Sequence, residues 1–270
     1  SIYRQTTAGY SLKDAEILAG KQMSYNNYLD LYAALRSLFV LDAPTVCVVK
    51  HTNACGLASH PDLAKAFQYA WDADTKSAFG GIVTLNRPCP LIVAEMLKGR
   101  FIEIIAAPSF EPDALEFLKK KSADLRIVTV DINRLRDTNL ELHSFGGITL
   151  KTVSDLASDP AVPGTKKYFT TVTQAPISAA MQELLSFGEN SCANLKSNSV
   201  SLVCRTPDGQ GMMQLAMGCG QPNRIDALER LAIPKALENS KTIFGRDTRA
   251  PGPAGLPPDT VLVSEAFFPF

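Results

Sequence analysis

The residues best suited to chemistry in this 270-residue chain are Lys50 and His51, which follow an apolar run at residues 45–49. Histidine exchanges protons near neutral pH, and lysine supplies a mobile positive charge. The apolar run predicts a buried strand, after which the chain is expected to enter a loop at residues 50–56. Ligands of open α/β sheets bind outside the carboxyl ends of strands, which favours a site here. A Lys-His pair at a strand end is more often a solvated edge, so the hypothesis needs support from other segments.

Two further segments of the N-terminal half favour ligand contact. Gly80 and Gly81 follow Phe79, and adjacent glycines let the backbone approach a ligand closely, although a tight turn explains them equally well. Glu103 lies within the apolar run 101–107, where a carboxylate is costly unless it has a partner. Glu103 is therefore expected either at a strand end or in contact with a ligand donor.

Two segments of the C-terminal half are candidates as well. Asn198 precedes an apolar run, where capping and turn roles compete with ligand binding. Residues 218–224 form a glycine-containing segment that leads into a helix with Arg224 in its first turn, which suits an anion or a polar ring edge. A cation there opposes the helix dipole, so Arg224 is expected to have a compensating partner. His60 and His143 are expected to be surface or packing residues.

The alternation of apolar patterns along the chain predicts the fold class. Helical spacing of apolar residues predicts helices at residues 29–41, 63–71, 91–99, 111–121, 179–187 and 222–237. Short apolar runs bounded by turn residues predict strands at residues 45–49, 81–85, 103–107, 126–130, 199–204 and 212–216. This order predicts an α/β layer fold with much parallel pairing. Residues 155–167 are predicted to be a linker or long loop.

Composition narrows the class of protein and its partners. Lys and Arg together number 27, as do Asp and Glu, so the net charge is zero. The sequence contains no basic stripe of the kind that would predict binding to nucleic acid or to a membrane surface. The six cysteines include no C-x-x-C pair and no zinc-site spacing, which predicts a reduced, cytoplasmic protein. No apolar run reaches the roughly 18 residues of a transmembrane helix, and residues 1–20 lack a secretory h-region.

The candidate segments, taken in order, resemble the transformylase domain of the AICAR transformylase/IMP cyclohydrolase family of bifunctional purine biosynthesis proteins. The matching segments are residues 20–27, 49–56, 78–81, 101–105, 196–200, 218–224 and 266–270. No cyclohydrolase-like segment is present, which predicts a stand-alone version. The resemblance implies two cytidine-deaminase-like α/β/α subdomains at residues 1–160 and 161–270, the second shorter at its C-terminus than in the family.

The resemblance also implies an activity. The family moves the formyl group of 10-formyltetrahydrofolate to the 5-amino group of AICAR, giving FAICAR, in active sites shared across a homodimer. It implies no catalytic metal, because the zinc ligands of deaminases are missing here, and it allows a structural monovalent cation. Lys50 and His51 would be catalytic, with His51 as the general base or proton shuttle for the attacking amine.

Binding positions follow from the same resemblance. The positions that match those holding the ring, carboxamide and ribose of AICAR are Asn27, Phe79, Gly80, Glu103 and Asn198. The position that matches an aromatic stacked at the nucleotide is Phe267. The positions that match the folate side of the site are Arg224, Pro269 and Phe270.

The sequence departs from the family in the segments that carry arginines for the nucleotide's phosphate, which are absent from these 270 residues. Ala54 also replaces the usual proline. Either the sequence is trimmed, or this relative has lost phosphate recognition. Three interpretations stay open: formyl transfer to AICAR, formyl transfer to a different and unphosphorylated amine in a specialised pathway, and a non-catalytic paralogue that binds a nucleotide or serves in an assembly. Retention of Lys50, His51, Asn198 and Arg224 argues against the last, whereas loss of the phosphate-binding arginines argues for the second or the third.

Overall fold

The computed structural model describes residues 9–136, 140–153, 172, 174, 176–247, 255–266 and 268. The strands in these residues are β1 (Glu16–Ala19), β2 (Thr45–Lys50), β3 (Asn53–Ser59), β4 (Gly81–Leu85), β5 (Ile102–Ala107), β6 (Arg126–Thr129), β7 (Leu140–Phe145), β8 (Ile148–Val153), β9 (Val200–Arg205), β10 (Met212–Gly218) and β11 (Val261–Ser264). The helices are α1 (Tyr25–Arg36), α2 (Leu63–Asp72), α3 (Thr75–Ala78), α4 (Leu91–Met96), α5 (Pro112–Lys121), α6 (Ile132–Arg136), α7 (Ala179–Ala193), α8 (Arg224–Asp226) and α9 (Ile233–Phe244). A 3-10 turn covers Leu12–Asp14, and a π-helical stretch, Ala227–Ala232, joins α8 to α9.

Within the described residues, nine strands form one mixed sheet in the order β1-β6-β5-β4-β2-β3-β10-β9-β11, and β7 pairs with β8 in a separate hairpin. The α/β fold class is as predicted, but the expectation of much parallel pairing is wrong. Only β4–β5 and β5–β6 are parallel among the described pairings. β2 and β3 are joined by two residues, which is far too short for the crossover that parallel strands require.

Helices cover both faces of the sheet, so its central strands are apolar on both sides. Val46 and Val48 of β2 pack in the cluster that contains Phe67 of α2. Cys47 and Val49, which point to the opposite face of the sheet, pack in the cluster that contains the α1 and α7 side chains. This double burial explains why β2 reads as a continuous apolar run without alternation.

Caps decide where the helices begin, and the starts of α1 and α8 differ from the sequence-based bounds. Ser24 caps α1: its Oγ accepts a hydrogen bond from Asn27 N, and Asn27 Oδ1 accepts from Ser24 N, so the helix begins at Tyr25 and not at residue 29. Asp62 caps α2 by accepting from Ala64 N at 2.8 Å. The helix predicted from residue 222 begins two residues later, at Arg224, and reaches Phe244 only through the π-helical stretch.

The sheet continues from the N-terminal strands into the C-terminal strands through β3 and β10. Their pairing is short, with Met212 opposite Ser59 and Met213 opposite Ala58. The predicted subdomain boundary at residue 160 and the predicted linker at 155–167 lie outside the described residues, and the cytidine-deaminase-like subdomains stay a prediction. Among the helices of the described residues, none has the length and apolar character needed to cross a membrane.

Candidate active site

Most of the predicted site residues gather at one edge of the sheet, called here the site edge. β2 ends there at Lys50, and because β2 runs antiparallel to β4, the amino ends of β4 and its parallel neighbour β5 lie at the same edge. The carboxyl end of β10 at Gly218 and the amino end of β9 at Val200 lie there too. The predicted site residues therefore lie at the carboxyl end of β2, as expected, but at the amino ends of the parallel strands β4 and β5, where they were not expected.

His51 and Thr52 form the two-residue turn between β2 and β3, so the loop expected at residues 50–56 is instead a hairpin. Both have positive φ, 52° and 65°, as in a type I′ turn. Left-handed backbone costs about 1–2 kcal/mol per non-glycine residue, and a β-branched threonine suits it poorly. Asp30 Oδ1 on α1 accepts a 2.7 Å hydrogen bond from Thr52 N, and Asn53 Nδ2 donates to His51 O. These bonds fix a turn that the residue types alone do not favour.

The side chain of His51 is exposed at the tip of this turn. Within the described residues its ring has no hydrogen-bond partner. An imidazole whose nitrogens are not used by the protein can accept a proton from a bound molecule that comes within hydrogen-bond reach. The backbone around His51 is thus held while its ring stays available.

Lys50 is held against the backbone that precedes β4. Its Nζ donates to Gly80 O at 2.8 Å and to Phe79 O at 3.1 Å, which leaves the third N–H of the ammonium unused by these bonds. Gly80 has a φ of 68°, and a Cβ there would lie 3.0 Å from Lys50 Nζ. The Phe79 ring is 65% exposed and lies 5.2 Å, centroid to centroid, from the ring of Phe101. A cation and an open aromatic face therefore border the same stretch of chain.

Glu103 at the start of β5 has the partners that a carboxylate in an apolar strand requires. Asn27 Nδ2 on α1 donates to Glu103 Oε2 at 2.9 Å, and Arg126 Nη1 lies 3.9 Å from the same oxygen. Arg126 is fixed in turn by donating from Nε and Nη2 to Gln22 O. The Glu103 side chain is 42% exposed, so a ligand can reach it.

Asn198 joins the loop before β9 to the loop after β10. Its Nδ2 donates to Gln221 O at 2.9 Å and to Pro222 O at 3.0 Å, and Gly220 N donates to Lys196 O at 2.9 Å. The amide nitrogen of Asn198 therefore has a structural role. Its Oδ1 has no partner in the part of the chain that the structure describes, and it is the atom that a ligand donor can use.

One hydrogen bond connects the two groups of candidate residues. Lys196 N, two residues before Asn198, donates to Asn53 Oδ1 at 3.2 Å, and Asn53 follows the His51–Thr52 turn directly. The structure therefore brings together Lys50, His51, Asn27, Phe79, Gly80, Glu103 and Asn198 at the site edge.

Arg224 has the compensating partner that its position in the first turn of α8 predicts. Its Nη2 donates to Glu265 Oε2 at 2.6 Å, and the Arg224 side chain is only 10% exposed. Glu265 Oε1 accepts from Ser197 Oγ at 2.6 Å and from Ser199 N at 3.2 Å. Partial burial on its own would raise the pKa of Glu265, but the hydrogen bonds from Ser197, Arg224 and Ser199 outweigh it and lower that pKa.

A cleft of about 430 Å³ opens where β3 and β10 diverge toward the site edge, within the size range of small-molecule sites. Its apolar wall includes Met217, Leu231 and Pro234. Its charged residues are Lys76, Arg230 and Lys235 with Asp74 and Glu238, which lie 3.6 and 3.0 Å from Lys235 Nζ. Gln214 Nε2 donates to Ala54 O at 2.9 Å and spans the gap between β10 and β3.

The cysteines and acidic side chains do not form a second reactive centre in the described residues. Burial raises the pKa of the Cys47 and Cys204 thiols to about 12, and it also raises the pKa of Cys219, although Lys196 acts in the opposite direction. No group of three or more His, Cys, Asp or Glu side chains among the described residues is placed to hold a metal ion. His60 is buried and bonded through Nε2 to Asp208 at 3.0 Å, which confirms a packing role.

Sequence reasoning missed three residues that build this edge, and it assigned three that the structure does not describe. Asp30, Gln214 and Glu265 were not predicted to have a role. Asp30 lies one turn after Asn27 on the same face of α1, and this spacing is a sequence signal that Asp30 lies near the site. The partners of Gln214 and Glu265 are set only by the tertiary fold. Phe267, Pro269 and Phe270 lie outside the described residues.

Comparison with known proteins identifies related sequences. A family model described as "AICARFT/IMPCHase bienzyme" matches residues 1–235. The chain is similar to the "Bifunctional purine biosynthesis protein PurH" of Lactiplantibacillus plantarum, with 37% identity over 261 residues, which is 96% of this chain and 46% of that protein. It is 38% identical to the PurH of Leuconostoc citreum over 260 residues and 34% identical to that of Cutibacterium acnes over 274 residues. These matches cover 96% and 100% of this chain, and the chain spans about half the length of the curated relatives, 46% in both.

Proposed function

The chain belongs to the AICARFT/IMPCHase family, and from that membership we propose that it transfers the formyl group of 10-formyltetrahydrofolate to the 5-amino group of AICAR, giving FAICAR in purine biosynthesis. The observation that carries the proposal is the placement of Lys50 and His51 at one edge with Asn27, Glu103 and Asn198, with the His51 ring bonded to no other described residue.

The acceptor side of the reaction fits the groups that the site edge exposes. AICAR is a flat, electron-poor ring that carries a carboxamide and a ribose. The exposed Phe79 ring offers a stacking face, the Glu103 carboxylate accepts N–H or ribose O–H groups, and Asn198 Oδ1 accepts one more hydrogen bond. Phe267 is proposed to cover the nucleotide from the C-terminal segment.

The proposed chemistry needs a proton acceptor and a positive charge. The amine nitrogen attacks the formyl carbon, so an N–C bond forms while the formyl oxygen gains negative charge. His51 accepts the proton that the amine loses, and Lys50 stabilises the oxyanion. The bond from the formyl carbon to N10 of the folate then breaks, and the proton passes to N10. Neither step requires a metal.

The folate is proposed to bind on the side of the site edge formed by the C-terminal half. The apolar wall of the cleft between β3 and β10 suits a flat pterin, and Lys76 and Arg230 are the cations proposed for the carboxylates of its glutamate tail. Arg230 also pairs with Asp226, and Asp74 and Glu238 pair with Lys235. Arg224 would present its guanidinium edge in the orientation that Glu265 fixes. Pro269 and Phe270 are proposed to close the folate side. The proposal includes a monovalent cation with a structural role and no part in the chemistry.

A homodimer is proposed as the working form, in which two copies complete each site. The β7–β8 hairpin supports this, because Leu142, Phe145, Ile148 and Leu150 are each about half exposed on it. A lone two-stranded hairpin is marginal in water, so a hairpin that carries these side chains is more stable when another surface covers it.

The test is a folate-absorbance assay with purified protein, 10-formyltetrahydrofolate and three acceptors: AICAR, its unphosphorylated riboside and an unrelated aminoimidazole. Turnover with AICAR above the other two supports the proposal. Preference for the riboside would move the function to a different amine. No turnover with any acceptor, together with no folate binding in a titration, would identify a non-catalytic paralogue and overturn formyl transfer.

A further inference from the structure

Among the described residues, the side chain that bonds directly to the His51–Thr52 turn from outside the hairpin is that of Asp30. Thr52 N donates to Asp30 Oδ1 at 2.7 Å, and Asp30 belongs to α1, 22 positions earlier in the chain. The remaining bonds of the turn, from Thr52 Oγ1 and Asn53 Nδ2 to His51 O, are made within the turn itself. The bond from Thr52 Oγ1 moves with the turn. Asn53 also accepts from Lys196 N at 3.2 Å, which links the first residue of β3 to the loop before β9, but Asp30 is the contact made to Thr52 itself.

Asp30 lies three residues after Asn27, and residues at this spacing share a face of a helix. The two side chains of that face hold different parts of the site edge. Asn27 donates to Glu103, and Asp30 accepts from the His51–Thr52 turn. α1 therefore sets the distance between the Glu103 carboxylate and the His51 turn.

We propose that Asp30 is a positioning residue that keeps the His51–Thr52 turn in its left-handed backbone and so directs the His51 ring at the acceptor amine. The inference rests on the proposed function, which it deepens. Asp30 is half-buried and bonds to a backbone N–H, so its effect on the reaction passes through the turn. A charged acceptor makes a stronger hydrogen bond to a backbone N–H than a neutral one. Without the clamp, Thr52 is free to leave the φ of 65° that β-branched residues disfavour.

The experiment compares Asp30→Ala, Asp30→Asn, Thr52→Gly and the double variant Asp30→Ala/Thr52→Gly. Asp30→Ala is expected to lower kcat about 10- to 100-fold, because a misplaced catalytic group costs up to about that factor, with KM for the acceptor changed less than about twofold. Asp30→Asn keeps an acceptor oxygen and is expected to lose less activity. Thr52→Gly in the Asp30→Ala background is expected to restore most of kcat, because glycine adopts positive φ without a clamp.

A matched control removes a carboxylate at the opposite edge of the sheet. Asp113→Ala lies in the first turn of α5, after the carboxyl end of β5, and is expected to leave kcat unchanged. If the double variant is no more active than Asp30→Ala, or if Asp30→Ala raises KM and leaves kcat unchanged, the positioning role is overturned.

A second readout needs no substrate, so it separates this inference from the proposed function. Amide hydrogen exchange at Thr52 is measured in the wild type and in Asp30→Ala by NMR. Faster exchange at Thr52 in the variant, with unchanged exchange in the central strand β2, is expected. Equal exchange in the two proteins would overturn the clamp, whatever the assays of formyl transfer give.

Discussion

Arg224 Nη2 donates a 2.6 Å hydrogen bond to Glu265 Oε2, and the other oxygen of that carboxylate accepts from Ser197 Oγ and Ser199 N. One side chain therefore ties three segments together at the site edge: the loop before β9, the start of α8 and the segment after β11. Because the guanidinium of Arg224 takes its orientation from this carboxylate, a substitution at Glu265 is expected to change the orientation of the Arg224 side chain.

Glu265→Gln is expected to lower the free energy of unfolding by about 1.5–3 kcal/mol at pH 7, the range for hydrogen bonds to a charged group. Since the folded state lowers the pKa of Glu265, the stabilisation is present above the unfolded value of about 4.3 and is lost as the pH falls through the folded pKa. Urea unfolding of both proteins between pH 7 and pH 3 measures the difference, which should shrink below about pH 4.3.

The matched control for this prediction is Glu183→Gln. Glu183 also bonds to an arginine, with Arg205 Nη2 at 2.7 Å, but its side chain is 59% exposed. An exposed pair contributes about 0–1 kcal/mol, so the control should change stability little at any pH. Equal losses of unfolding free energy in both variants would mean that the bonds of Glu265 to Arg224, Ser197 and Ser199 stabilise the fold no more than an exposed ion pair does.

His51→Ala is expected to reduce formyl transfer about 10²–10⁴-fold, the usual contribution of a general base, and to leave the melting temperature within about two degrees of wild type. The reason is that the His51 side chain is exposed and its ring bonds to no other described residue. Calorimetry and the folate-absorbance assay on the same preparation check both parts. A large drop in melting temperature with normal specific activity would make His51 a packing residue.

Gly80→Ala is expected to lower activity by displacing the Lys50 ammonium, because its Cβ would lie 3.0 Å from Lys50 Nζ. Gly99→Ala supplies the control: Gly99 has a similar φ, 74°, and nothing within 4 Å of the added Cβ. Both variants carry the cost of a left-handed alanine, about 1–2 kcal/mol. Only Gly80→Ala should also have a lower kcat. Equal kcat values in Gly80→Ala and Gly99→Ala would contradict the proposal that the position of the Lys50 ammonium matters for the reaction.

Phe145→Glu/Ile148→Glu is expected to convert a dimer to a monomer, since it places two charges on the exposed end of the β7–β8 hairpin. Light scattering at micromolar concentration measures the mass of wild type and variant. Ile92→Glu on α4 changes a side chain that is 54% exposed elsewhere and should leave the mass unchanged. A monomeric wild type would contradict the proposed homodimer directly.

The central strands and the major helices were predictable from sequence because both faces of the sheet are covered. Double burial makes β4 and β9 continuous apolar runs, which are recognisable without knowing their partners. β3 was missed because its entry turn is His-Thr, which carries none of the asparagine or glycine residues that mark a type I′ turn. β11 is only four residues long and pairs with β9, which lies far from it in the chain. β7 and β8 carry no continuous apolar run.

The candidate site was predictable only where residue type and strand end coincide. The sequence alone singles out Lys50, Gly80 and Glu103, because each is a charged or small residue beside an apolar run. Asp30 and Glu265 are not, because their importance comes from a backbone N–H and a guanidinium that the fold brings to them. Sequence patterns identify side chains whose type is unexpected at their position. They do not identify the supporting side chains, such as Asp30 and Glu265, whose partners are brought to them by the fold.

The divergence of β3 from β10 has an evolutionary consequence. Where strand register no longer supplies a partner, Gln214 Nε2 reaches Ala54 O, and Gln214 Oε1 accepts from Ser191 Oγ, which lies 2.8 Å from Ser201 Oγ. All three side chains are buried, so replacing one leaves the others unsatisfied at a cost of about 1–3 kcal/mol. Substitutions at these positions are therefore epistatic: each is harmful alone, while a concerted apolar replacement of the three is expected to cost less in a double-mutant-cycle measurement than the sum of the single losses.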